Sequence, residues 1–110
     1  MAYRKYNAHK ATVDGITFDS QREANRYCEL KLMEKAGQIT SLELQPEFEL
    51  QPKYRKHGRT VRAIIYRADF RYKENGVMVV EDVKGMRTDV YRMKKKMLEY
   101  RYPEIDIRET

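Results

Sequence analysis

Apolar and polar positions follow two different spacings along this chain, and the switches between them mark its elements. Short extended pieces at Ala11–Val13 and Ile16–Phe18 flank Asp14-Gly15, a pair that favours a tight hairpin. From Ser20 the spacing becomes helical: Ala24, Tyr27, Cys28, Leu32 and Ala36 form an apolar stripe, and Cys28 reads as a small core residue. Ser20 and Glu23 are placed as a capping box at the helix start, and Gly37 is placed to stop it. Leu42, Leu44, Phe48 and Leu50 then alternate with polar residues, which predicts a strand that Pro46 kinks or confines to an edge. Residues 53–60 read as a basic loop. Residues 61–72 and 77–84 are rich in β-branched and aromatic side chains and flank Asn75-Gly76, a strong hairpin signal. A second helix is expected from Thr88 or Asp89 to about Arg101, burying Val90, Met93, Met97 and Leu98. Pro103 ends it, and Ile105 and Ile107 alternate as a short final strand. The predicted order is helix, three strands, helix, strand.

The second hairpin fixes which side chains can meet. With a two-residue loop at Asn75-Gly76, Glu74 pairs with Val77 and Asp69 falls opposite Asp82. Directly opposed side chains have Cβ atoms about 4.5–5.5 Å apart on one face. Two carboxylates there repel, and a divalent cation between them turns that repulsion into binding. Lys84, two residues beyond Asp82, shares the face. A three-residue loop would instead bring Glu81 opposite Asp69. Asp82 shares a face with Lys84, whereas Glu81 shares one with Val77, Val79 and Val83, so the two-residue register is preferred. The plainer alternative is a solvated strand face on which Arg67 and Arg71 neutralise Asp69. Glu23 has two readings, as the capping-box acid and as a further acid beside the hairpin pair.

Composition narrows the function classes. One hundred and ten residues suit a single domain, with residues 1–10 as a loose basic arm carrying Tyr3, Arg4, Lys5, Tyr6 and Lys10. Net charge is +6 and the isoelectric point about 9.4, which draws the protein to polyanions. A lone cysteine excludes an internal disulfide and a thiolate zinc cluster. No apolar run reaches membrane-span length and no signal-type segment opens the chain, so a cytoplasmic protein without membrane partners is expected. His9 and His57 fall in the arm and a loop, and a phosphate-binding glycine loop is absent. Oxygen-rich, thiolate-free ligands favour Mg²⁺ or Mn²⁺ over zinc. A metal site of that kind hydrolyses phosphodiesters when a neighbouring lysine orients or deprotonates the attacking water. Arg87, Arg92, Lys94, Lys95 and Lys96 follow the acids directly and are candidates to hold phosphates. Lys53, Arg55, Lys56 and Arg59 invite the same reading.

These residues resemble the PD-(D/E)xK nuclease superfamily. Asp69 in ADF matches its first acid, Asp82-Val83-Lys84 its (D/E)xK half, and Glu23 in FDSQREA its first-helix glutamate. Ala68 stands where the motif's proline would be, a departure that members often share. More narrowly, FDSQREA, LQPEF, ADFRY and EDVKG look like a family of small phage proteins of unknown function. The resemblance implies an α/β (α+β) restriction-endonuclease-like core, with a central mixed sheet flanked by helices in the order α-β-β-β-α-β. It implies a Mg²⁺-dependent endonuclease whose catalytic residues are Glu23, Asp69, Asp82 and Lys84, the three acids holding the metal. It further implies a phage- or prophage-encoded homodimer acting on branched DNA in the bacterial host, as a Holliday junction resolvase does. A site-specific or nicking nuclease, and a non-catalytic DNA-binding or regulatory module with a vestigial site, are the alternatives.

Overall fold

A computed structural model of the chain describes residues 9–83 and 87–110. A small hairpin of β1 (Ala11–Val13) and β2 (Ile16–Phe18) leads into α1 (Gln21–Lys35). Asp14 and Gly15 both take positive φ at its turn. Ser20 caps α1, its side chain accepting from the Glu23 main-chain N–H at 3.1 Å. Such a cap contributes about 1 kcal/mol.

Residues 40–74 form one long bent ribbon folded back at His57-Gly58. Its strands are β3 (Thr40–Leu44), β4 (Glu47–Gln51), β5 (Tyr54–Lys56), β6 (Arg59–Val61), β7 (Ile64–Arg67) and β8 (Phe70–Glu74). They pair as nested antiparallel couples, β3 with β8, β4 with β7 and β5 with β6. Leu44 opposite Phe70 and Glu47 opposite Arg67 keep one register across the break at Gln45-Pro46 and Ala68-Asp69. Pro46 lacks a donor, Gln45 has φ +50, and the bonds Gln45 N–H to Asp69 C=O (2.9 Å) and Ala68 N–H to Pro46 C=O (3.1 Å) carry the ribbon through its bend. The single strand expected over residues 42–50 is therefore two strands, the one over 61–72 takes in the end of β6, all of β7 and most of β8, and the expected loop 53–60 is the ribbon's tip.

A turn at Asn75-Gly76 leads to β9 (Val77–Asp82), and α2 (Asp89–Arg101) then crosses to β10 (Asp106–Glu109). The central sheet has the order β10-β9-β8-β3, with β10 parallel to β9 and the other pairs antiparallel. It is a mixed sheet with the predicted core order of helix, three strands, helix, strand. On one face Phe70, Tyr72 and Val79 pack with Ala24, Tyr27 and Leu30 of α1. On the other, Val80 packs with Phe48, Leu50, Tyr66 and Leu98, so α2 and the β4–β7 ribbon cover that face together. Fully buried side chains such as Phe70 and Leu98 contribute about 1.5–3 kcal/mol each.

Each helix buries part of its expected stripe, Ala24 and Tyr27 in α1 and Leu98 in α2, and turns most of the rest outward. Cys28 and Ala36 are exposed and Leu32 is 68% exposed, while Leu30 is fully buried. In α2, Leu98 is buried and Met97 half-buried, but Val90 and Met93 are more than half exposed. Among the described residues no helix is long and apolar enough to cross a membrane.

Candidate active site

Asn75 and Gly76 have φ of +52° and +77°, the double left-handed geometry of a two-residue hairpin loop. The ladder runs from Glu74 opposite Val77 to Phe70 opposite Glu81. The two-residue register is realised and the three-residue alternative is not. One step beyond the ladder, Asp69 meets Asp82. The Asp69 main-chain N–H donates to Asp82 Oδ1 at 3.2 Å, and the Val83 N–H donates to Asp69 Oδ2 at 2.7 Å. Each carboxylate is thus fastened to the opposite strand by a backbone donor. Asp82 is fully buried, and its Oδ2 accepts from the Tyr66 hydroxyl of β7. Asp69 sits at the ribbon's bend, which brings β7 and Tyr66 over β9.

The two arginines that could have neutralised Asp69 bind elsewhere. Arg67 donates to Glu47 at 2.6 and 3.0 Å. Arg71 donates to Glu43 and lies over the Phe48 ring, 5.5 Å from its centroid.

Successive residues of β9 point to opposite faces, so Asp82 and Glu81 serve different surroundings. Glu81 is fully buried on the α1 side, where Arg26 grips both its oxygens at 2.5 and 2.9 Å. The Tyr72 hydroxyl donates to it at 2.6 Å and Thr110 Oγ1 at 3.3 Å. Burial disfavours the Glu81 anion, but the bonds from Arg26 and Tyr72 outweigh it and hold the carboxyl below the usual range. The same burial and bond push the Tyr72 phenol up to about 12. Sequence pattern carried a signal here: an acid on an otherwise apolar strand face needs a buried partner. Nothing in the sequence named Arg26.

Glu109 was also missed. Parallel pairing sets it beside Asp82 on the α2 face. Tyr91 donates to its carboxylate at 2.7 Å and Arg87 Nε lies 3.1 Å away, and these bonds hold Glu109 below the usual carboxylate range. The Tyr91 phenol is pushed far up by burial, by its bond to Glu109 and by the nearby charge of Asp82. Its ring lies 6.3 Å from that of Tyr66.

The other expected site residues are distributed as follows. Glu23 is buried on α1 and joins the cap on Ser20 through its N–H. Lys84 lies outside the described residues. Arg87 is exposed beside Glu109, and Arg92 pairs with Asp89 at 3.2 Å. Lys94 is half-buried and donates to the Ile65 carbonyl at 2.9 Å, Lys95 is half-buried, and Lys96 is exposed. Lys56 and Arg59 are exposed at the ribbon tip. Among the described residues no three acids, imidazoles or thiolates close into a metal cage. The structure brings the carboxylates of Asp69 and Asp82 together, both hydrogen-bonded, as a pair of hard oxygen donors. Such a pair suits Mg²⁺, which keeps several of its waters and takes only one or two protein carboxylates.

A family model described as "Protein of unknown function (DUF1064)" matches residues 3–109, nearly the whole chain. No curated protein and no solved structure matches.

Proposed function

The chain belongs to the DUF1064 family of proteins of unknown function, and we propose that it is a Mg²⁺- or Mn²⁺-dependent DNA endonuclease. The observation that carries this reading is the juxtaposition of Asp69 and Asp82, each carboxylate fastened by a main-chain N–H of the other's strand. Opposed acids cost stability, and here the fold spends backbone donors to keep them in place. A bound divalent cation would supply Lewis acidity and lower the pKa of a water, so that the hydroxide left after proton loss can attack phosphorus. Asp69 and Asp82 would hold that cation, and Tyr66 fixes the orientation of Asp82 by donating to it. Lys84, two positions after Asp82 in sequence, orients or deprotonates the attacking water. Glu23, buried near the start of α1, enters this reading only as the further acid that the sequence resemblance assigns. Arg87 and Lys96 are exposed on the α2 side, where phosphates flanking the scissile bond would lie. The resemblance to PD-(D/E)xK nucleases extends the proposal to branched DNA, and a four-way junction, which requires two symmetric incisions, would be cut by a two-fold pair of copies.

Labelled four-way junction, flap and linear duplex DNA incubated with the protein and Mg²⁺ test the proposal. Cleavage of the branched substrates, abolished by Asp82→Asn and by chelation, is the expected result. Absence of any cleavage that Asp82→Asn removes overturns it. Cutting confined to fixed sites on linear duplex would place the activity with site-specific nucleases instead.

A further inference from the structure

The tip of the long ribbon carries a run of positive charge with no acid in it. Residues 53–62 hold five of the 23 lysines and arginines and none of the 17 acids, and so account for five of the six net positive charges. Lys53, Tyr54, Arg55, Lys56, His57, Arg59 and Arg62 are all exposed. Elsewhere arginines are mostly matched: Arg26 with Glu81, Arg67 with Glu47, Arg71 with Glu43, Arg87 with Glu109, and Arg108 with Glu74 and Asp106. At the tip no salt bridge forms among the described residues. Register adds a second observation. Lys56 lies directly opposite Arg59, so two cations face each other across the strands nearest the turn. Opposed like charges destabilise a hairpin. Arg55 plays a different part, donating to the Gly58 carbonyl at 2.8 Å and to Thr60 Oγ1 at 3.1 Å, which closes the turn from within.

We propose that the β5–β6 tip is a DNA-holding arm, with Lys56, Arg59 and Arg62 contacting backbone phosphates of a duplex and Arg55 stiffening the turn. A two-stranded ribbon is one of the two elements that fit the major groove of B-form DNA. Phosphate oxygens beside Lys56 and Arg59 convert their mutual repulsion into attraction. Along the chain Asp69 lies eleven residues from Gly58. At about 3.3 Å per residue the arm reaches no more than roughly one turn of duplex beyond the acids. An anionic membrane is the poorer partner, because the tip offers Tyr54 and Val61 but no apolar face to insert. The proposal rests on the reading of the protein as one that acts on DNA, yet its test needs no cleavage.

Binding of a labelled linear duplex is measured by fluorescence anisotropy in EDTA over a range of salt concentrations. Lys56→Ala with Arg59→Ala is expected to lower the slope of log affinity against log salt by about two, as for two lost phosphate contacts. Lys31→Ala with Lys35→Ala, which removes equal charge from exposed positions on α1, is expected to leave it nearly unchanged. Lys56→Glu is expected to weaken binding while holding or raising the melting temperature, since it replaces a like-charge pair with an opposite one. An equal slope change in the α1 control overturns the proposal. So does undiminished binding by Lys56→Glu, or competition by anionic vesicles as effective as by DNA. Tip-dependent binding in a protein that never cleaves would sustain the arm and remove the nuclease.

Discussion

Asp82 accepts from Tyr66 and from the Asp69 main-chain N–H, so its carboxylate has one orientation rather than several. Tyr66→Phe keeps the ring that packs beside Phe48 and Leu98 and deletes only the donor. Cleavage is expected to fall about 10–100-fold, as for loss of a group that orients a metal ligand, with a parallel loss of Mn²⁺ affinity by calorimetry. Asp69 and Asp82 were legible in the sequence because an Asn-Gly turn sets the register from next to nothing but local chemistry. Glu81 was only half legible. Its strand face said buried, but its partner Arg26 comes from 55 residues away and no local pattern reports such a distance. Arg26→Ala strands a buried carboxylate and is expected to cost about 3 kcal/mol in urea unfolding. Since Glu81 titrates below its unfolded value, its contribution is complete above about pH 4.3 and is lost as pH falls through the lower folded value. Glu81→Gln should therefore flatten the acid limb of the stability profile, and an unchanged limb would contradict this account.

Among elements, the hairpin and caps obeyed local rules while the helix faces did so only in part. Two rows begin at Ala24 in α1, one stepping by three through Tyr27 and Leu30, the other by four through Cys28, Leu32 and Ala36. Both are apolar, so hydropathy alone does not choose between them. Packing against β1, β2 and β3 selects the first. In α2 the inward row runs through Tyr91, Lys94, Leu98 and Tyr102, and includes a lysine that a hydrophobic stripe would never enlist. Its ammonium reaches the Ile65 carbonyl, which lets its stem lie against the ribbon. The basic loop was misread for a related reason: short polar strands such as Tyr54–Lys56 carry no hydropathy signal, and only the continuing ribbon register makes them strands. The Asn75-Gly76 turn has a sharper consequence. Gly76 sits at φ +77°, so Gly76→Ala is expected to cost about 1 kcal/mol and lower the melting temperature by roughly 4–8 °C. A variant melting like the parent would show that the turn does not hold the register.

Across the whole molecule, the two faces of the central sheet divide the labour. The α1 side is an apolar core closed by the Glu81 network, and the α2 side carries Asp69, Asp82 and Glu109. If the acid pair binds a cation only when folded, binding adds to stability: a hundredfold excess of Mn²⁺ over its dissociation constant contributes about 2.7 kcal/mol. A melting temperature that rises with Mn²⁺ in the parent, and not in Asp82→Asn, is the expected outcome by calorimetry. The parallel pairing that sets Glu109 beside Asp82 lay beyond sequence reasoning, since its register is fixed by how α2 crosses the sheet rather than by a turn.

That same parallel strand has a bearing on how the protein is made. β9 gains β8 at once through a local hairpin, but it waits for α2 and β10 to be synthesised before its second side is covered. Until then its unpaired amides and carbonyls, flanked by Val79 and Val80, offer a template to any neighbouring chain. A chain broken off before Asp106 would keep that template open, and the Asp82 carbonyl would lose the Thr110 N–H it now accepts from. Such fragments would stick to one another along β9, so the final strand acts as a built-in guard against aggregation.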